Sequence, residues 1–148
     1  MKFTTEVEIN LPREKVVELF DSPDNMPKWQ TGLLSFEHVS GEAGQLGAKS
    51  KLKYKMGKRE IKMIETITHR KLPDEFFGTY ETKGVWNEVK NFFSETGPSK
   101  TNWRLETEFR CSGLMKLMVA FAPGIFKKQT LKDMTNFKAF AENEKQVK

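Results

Sequence analysis

The sequence predicts an α+β fold: a curved antiparallel sheet of seven strands wrapped around one long C-terminal helix, with two short helices after the first strand. Three observations carry this reading. From Ile125 onward, Phe126, Thr130, Met134, Phe137 and Ala141 recur at helical spacing, opposite Lys128, Lys132, Asn136 and Asn143. Before Gly113, seven segments alternate apolar and polar residues with the period of half-buried strands, and short turn signals separate them. The order of these elements leaves one amphipathic helix for the sheet to close on, and one helix does not fill a concave sheet, so a cavity is expected between them.

The elements follow in order. Residues 2–9 set Phe3, Thr5, Val7 and Ile9 against Lys2, Thr4, Glu6 and Glu8. Pro12 suits a first helical turn, Val16, Val17, Leu19 and Phe20 supply that helix's buried face, and Asp21-Ser22-Pro23 ends it. A second short turn runs to Trp29, read as a packed anchor. Residues 33–39 form a strand that ends in the Ser40–Gly44 loop. Residues 48–56 turn Ala48, Ser50, Leu52, Tyr54 and Met56 inward and Lys49, Lys51, Lys53 and Lys55 outward. Gly57-Lys58 is a tight turn. The strands 59–69, 76–82, 85–95 and 100–111 then follow through turns at 71–74, 83–84 and 96–99, implying consecutive antiparallel pairing.

The segment 114–121 is apolar almost all round, with Lys116 its only charge, so it is expected to be buried or to gate an opening. Pro123-Gly124 separates it from the long helix, because proline removes a helix hydrogen bond and glycine relaxes the backbone.

At 148 residues the chain is expected to form a single domain, 1–148. One cysteine, Cys111, excludes an internal disulfide and fits a reducing compartment. The alternating N-terminal residues lack a signal peptide's apolar core, and no apolar run approaches the ~20 residues of a membrane span. A cytoplasmic location is the resulting expectation. Much of the net charge of +5 lies in the lysine stripe of 48–56, read as a solvated outer sheet face or a protected edge. The stripe has no arginine and shares its face with no aromatic ring, which disfavours a nucleic-acid partner.

The opening from Pro12 to Phe20 (PREKVVELF), then Asp21 to Trp29 (DSPDNMPKW), resembles the start of the START-like superfamily. The Gly41–Gly47 loop and the long terminal helix are similar to the same group, and the likeness covers essentially the whole chain. The resemblance is nearest to small polyketide-cyclase/dehydrase-like proteins. It implies the helix-grip fold and an apolar small-molecule or lipid pocket. Because one fold hosts unrelated chemistries, it implies no particular reaction.

Polar residues at inward strand positions are the informative exceptions, since an unpartnered buried polar group costs ~1–3 kcal/mol. In the odd-numbered row Arg59, Ile61, Met63, Glu65, Ile67, His69, if Ile61, Met63 and Ile67 face inward, so does Glu65; if Ile64 marks the inner face, Glu65 is solvated. An inward Glu65 is a candidate acid, base or ligand anchor. Asn87 and Asn91 share a side with Val85, Val89 and Phe93, where their amides either orient a ligand or satisfy buried backbone. Trp103, Thr107, Phe109 and Cys111 face one way on the last strand, and Tyr54 and Tyr80 carry phenols that need partners if buried.

The candidate ligand-binding set is Tyr54, Met63, Glu65, Tyr80, Asn87, Asn91, Trp103, Thr107, Met118, Phe121, Met134 and Phe137, with Met56 and Met115 as further adaptable lining. His38 and His69 have no companions at zinc-ligand spacing, and no nucleophile elbow, phosphate loop or dinucleotide fingerprint occurs. No metal and no cofactor are expected. Two functions remain open: binding of a hydrophobic small molecule or lipid, or cofactor-independent cyclase/aromatase chemistry by Glu65, Tyr80, Asn87 and Asn91. The surface of 114–126, beside Lys127 and Lys128, is a candidate membrane contact. The oligomeric state is not legible.

Overall fold

A computed structural model describes residues 1–122 and 124–147, with residues 144–147 given by their backbone alone. Strand β1 (Lys2–Ile9) leads to helix α1 (Arg13–Phe20) and a 3₁₀ turn (Pro23–Lys28). Six strands follow: β2 (Leu33–Ser40), β3 (Lys49–Met56), β4 (Arg59–Lys71), β5 (Glu75–Thr82), β6 (Val85–Gly97) and β7 (Lys100–Cys111). Helices α2 (Leu114–Phe121) and α3 (Ile125–Val147) complete the fold. Of the expected break between them, Pro123 lies outside the described residues, and Gly124 stands directly before α3.

The sheet is antiparallel throughout, in the order β1-β7-β6-β5-β4-β3-β2. Consecutive pairing holds from β2 to β7, and β1 returns to pair with β7, placing the first two strands at opposite edges. Strand β3 lies one in from the edge, so its lysines belong to the outer sheet face. Lys49 Nζ donates to Thr66 Oγ1 there across 2.8 Å.

Helix α3 is fastened toward both edges. Lys138 Nζ donates to the Glu8 carbonyl of β1 (2.7 Å), and Asn10 N donates to Glu142 Oε2 (2.9 Å). Toward β2, Thr31 N donates to Asp133 Oδ1 (3.1 Å) and Asn136 Nδ2 to the Trp29 carbonyl (3.4 Å). Asn136, expected on the solvent side of the helix, is therefore turned toward the segment that enters β2.

The core sits under the middle of α3, where Phe137 is fully buried. Its ring centroid lies 5.2 Å from both Trp29 and Trp103, and Phe20 adds an edge-on contact to Trp103 at 5.6 Å. Such edge-to-face aromatic pairs contribute ~0.5–1.5 kcal/mol beyond the area they bury. This plug closes the α1 end of the sheet and leaves the remainder of the concave face open.

Candidate functional site

The open part is a cavity of about 450 Å³ between the sheet and the N-terminal half of α3, within the range of small-molecule sites. Its floor is ordered by strand register. One transverse row runs His38, Ser50, Glu65, Tyr80, Asn87, Phe109 across strands β2 to β7, and all six residues line the cavity. Inward positions repeat every second residue along each strand, so antiparallel register stacks them side by side. A flanking row from β5 to β7 holds Phe76, Asn91 and Leu105.

Exposure decides the orientation of β4. Glu65 is 7% exposed and Ile64 37%, so the carboxyl faces the cavity. Burial pushes the Glu65 pKa up, opposed in part by hydrogen bonding from the Tyr80 phenol. The phenol of Tyr80 is held far above its usual range by burial first, then by the charge of Glu65. Tyr54 is raised by burial and by the charges of Glu65 and Asp133, and its hydroxyl donates to Gln30 Oε1 at 2.7 Å. Asp133, on α3, is also raised by burial, with Thr31 and Gln129 pulling it back through hydrogen bonds. Glu65, Tyr80, Tyr54 and Asp133 thus form one electrostatically linked group on the cavity wall.

The asparagines are largely committed to the protein. Asn91 Nδ2 donates to the Phe76 carbonyl (3.1 Å), and Asn91 Oδ1 accepts from Trp103 Nε1 (2.9 Å). Asn87 Nδ2 donates to Thr107 Oγ1 (2.7 Å) and to the Glu108 carbonyl (3.0 Å). Thr107 Oγ1 in turn donates to the Glu88 carbonyl (3.0 Å). Among the described residues, Asn87 Oδ1 alone of these polar atoms has no protein hydrogen bond.

Nine of the twelve residues singled out from sequence line the cavity: Tyr54, Met63, Glu65, Tyr80, Asn87, Asn91, Trp103, Thr107 and Met134. Three do not. Phe137 is consumed by the aromatic core, one turn past the cavity. Met118 and Phe121 are 57% and 88% exposed, because α2 turns its apolar face away from the sheet. The expected gate over the cavity is therefore not formed by α2. Met56 is 51% exposed at the β3–β4 turn, beyond the reach of α3, and Met115 packs on the β5–β6 turn at Gly84.

Strict alternation ends at His69. A register shift between Ile67 and His69 rotates the strand. His69 then meets Glu75 (Nε2 to Oε1, 3.0 Å) and the ring of Phe77, while Arg70 joins the cavity lining. Arg70, Asp21, Gln30 and Asp133 also line the cavity and are not among the candidate site residues named from the sequence. Asp133 had a signal, being one helical turn from Thr130 and beside Met134. Among the described residues, no group of three or more His, Cys, Asp or Glu side chains gathers as a metal site.

This arrangement, a sheet gripping one helix over an apolar cavity with a buried acid, defines the class. A family model described as polyketide cyclase / dehydrase and lipid transport matches residues 1–142, and the chain belongs to that family. Similar solved structures include a protein from Thermus thermophilus, with TM-score 0.81, 13% identity, and coverage of 97% of this chain and 99% of that one. Norcoclaurine synthase from Thalictrum flavum, in complex with dopamine and hydroxybenzaldehyde, gives 0.74 at 11% identity, covering 100% and 88%. The di-domain ARO/CYC BexL gives 0.78 at 12% identity, covering 96% of this chain and 46% of that one. At these identities the likeness is one of fold. No curated protein matches the sequence.

Proposed function

We propose that the protein binds a small molecule with an apolar body and a hydrogen-bonding head in the cavity beneath α3. The observation that carries this reading is the space itself, about 450 Å³, crossed by a register-matched row that includes Glu65, Tyr80 and Asn87. Apolar walls such as Met63, Phe76 and Leu105 take the body of the ligand. Glu65, Tyr80 and Asn87 Oδ1 take its polar end: among the described residues no cation pairs with Glu65, and a buried acid so placed gains most from a ligand hydrogen bond. The family's description, with its lipid-transport term, supports a hydrophobic ligand.

Native mass spectrometry of the purified protein, followed by organic extraction, tests this. A stoichiometric adduct, or saturable binding of an environment-sensitive apolar dye that Tyr80→Trp abolishes, is the expected result. An apo mass together with no saturable dye binding overturns it.

A second reading is favoured by the Glu65–Tyr80 pair, directly opposite each other on adjacent strands. A carboxyl with a raised pKa is suited to exchange a proton with a bound substrate while the phenol donates to a carbonyl oxygen, the chemistry of a cofactor-independent cyclase. The norcoclaurine synthase and ARO/CYC neighbours are consistent with that use of the fold. The two readings separate on Glu65→Gln. In a carrier this substitution changes affinity alone. In an enzyme it abolishes turnover of a bound aromatic polyketide-like substrate while binding persists.

A further inference from the structure

We infer that α2 is a docking surface for an anionic lipid bilayer. The helix is amphipathic in the reverse sense to a core helix. Leu114, Leu117, Met118 and Phe121 fall at i, i+3, i+4 and i+7, and are 79%, 58%, 57% and 88% exposed. Ile125, at the start of α3, is a further exposed large apolar side chain, at 59%. The opposite side holds the helix to the protein: Met115 and Val119 are half-buried, and Met115 rests against the β5–β6 turn at Gly84. None of the residues of α2 lines the cavity, so this surface is separate from the proposed ligand site.

Charge identifies the occupant. From Phe109 to Lys132 the sequence contains no Asp or Glu, but it contains Arg110, Lys116, Lys127, Lys128 and Lys132. Lys116, Lys127 and Lys128 are exposed, and among the described residues none of their side chains makes an ion pair or hydrogen bond. Exposed large apolar side chains followed closely in the chain by two unpaired lysines, Lys127 and Lys128, match a membrane interface, where the rings and leucines enter the acyl boundary and the ammonium groups meet lipid phosphates. A second copy of the chain fits less well, because an isologous pairing of this face sets like charges against each other. Among the described residues no helix is long and apolar enough to cross a membrane, and the eight residues of α2 suit a contact that lies on the surface.

Co-sedimentation with large vesicles tests the proposal. Binding to phosphatidylcholine–phosphatidylglycerol vesicles at low ionic strength, with loss on pure phosphatidylcholine and at ~1 M salt, is expected, since the Debye length there falls to ~3 Å. Lys127→Ala with Lys128→Ala is expected to weaken partitioning about 25-fold, roughly fivefold per lysine. Leu117→Asp and Phe121→Asp each weaken it by more than about tenfold with unchanged melting temperature, as both side chains are solvent-exposed. Absence of sedimentation with the anionic vesicles, or sedimentation that survives both aspartate variants, overturns the proposal. A stable dimer in analytical ultracentrifugation that Leu117→Asp splits also overturns it, by assigning the face to a second copy.

Discussion

Arg70 grips Asp21 through both terminal nitrogens, Nη1 to Oδ1 at 3.0 Å and Nη2 to Oδ2 at 2.7 Å, and Nη1 also donates to the Gly44 carbonyl at 2.8 Å. One side chain thereby joins β4, the end of α1 and the β2–β3 loop at the cavity mouth. The fork geometry of guanidinium and carboxylate suits such a clasp. The Asp21 hydrogen bond raises the Arg70 pKa further, so the guanidinium stays charged at all working pH.

Asp21→Asn is expected to loosen the loop more than the fold. Both side chains are partly exposed, 21% for Arg70 and 35% for Asp21, so solvent screening limits the stability loss to about 0.5–1 kcal/mol. The local consequence is larger: amide hydrogen exchange at Gln45 and Gly47 rises, and a cavity-bound dye dissociates faster. Unchanged exchange in that loop would show that the clasp does not control the mouth.

Asn91 is a structural residue by its bonds. Asn91→Leu strands the buried Trp103 Nε1 and the Phe76 carbonyl together, at ~1–3 kcal/mol for each unpaired group. A loss of about 2–4 kcal/mol in urea unfolding is expected. Adding Trp103→Phe removes the stranded donor and recovers part of that loss, because deleting both partners costs less than deleting one.

Much of this site was legible from period-two alternation. The inward residues of β6 and β7 follow it without a break, so Asn87, Asn91, Trp103 and Thr107 were placed by counting alone. Alternation fails where the backbone gains a residue: the irregularity after Ile67 exchanges His69 for Arg70, and no local composition marks it. Helical periodicity has a different blind spot. It identifies an apolar face but not what that face meets, which is why Met118 and Phe121 point to solvent and Phe137 to the core. Nor does sequence spacing reveal that Gln30, from one end of the chain, meets Tyr54 from β3.

Gly32 shapes the same rim through its backbone. Its φ is +81°, and a Cβ there would lie 2.5 Å from the Lys55 carbonyl oxygen, a main-chain atom. Gly32→Ala combines left-handed strain with displacement of the β2–β3 pair, and is expected to destabilise by about 2–3 kcal/mol. The shift also moves the adjacent Gln30 and Thr31, partners of Tyr54 and Asp133. Thermal unfolding and dye affinity should therefore fall together, whereas a loss of stability with unchanged dye affinity would separate Gly32 from the site.

Glu65 sets the pH dependence. Its pKa in the fold lies above the ordinary 4.5, so the folded state keeps the proton longer than the unfolded chain. The stabilisation of the protonated form is fully present below 4.5 and is lost as pH rises through the raised value. The slope for one proton is at most about 1.4 kcal/mol per pH unit. Asp133 acts in the same direction from its own ordinary value of 3.8, so the wild-type protein loses stability across the mildly acid range. Glu65→Gln keeps the shape of the neutral acid and cannot ionise. The melting temperature of the variant relative to wild type should therefore climb with pH above 4.5 and level off once Glu65 is ionised in the fold. A constant difference from pH 4 to pH 8 would mean that Glu65 ionises as freely in the cavity as in water, and both the ligand-anchoring and the acid–base roles would lose their physical basis.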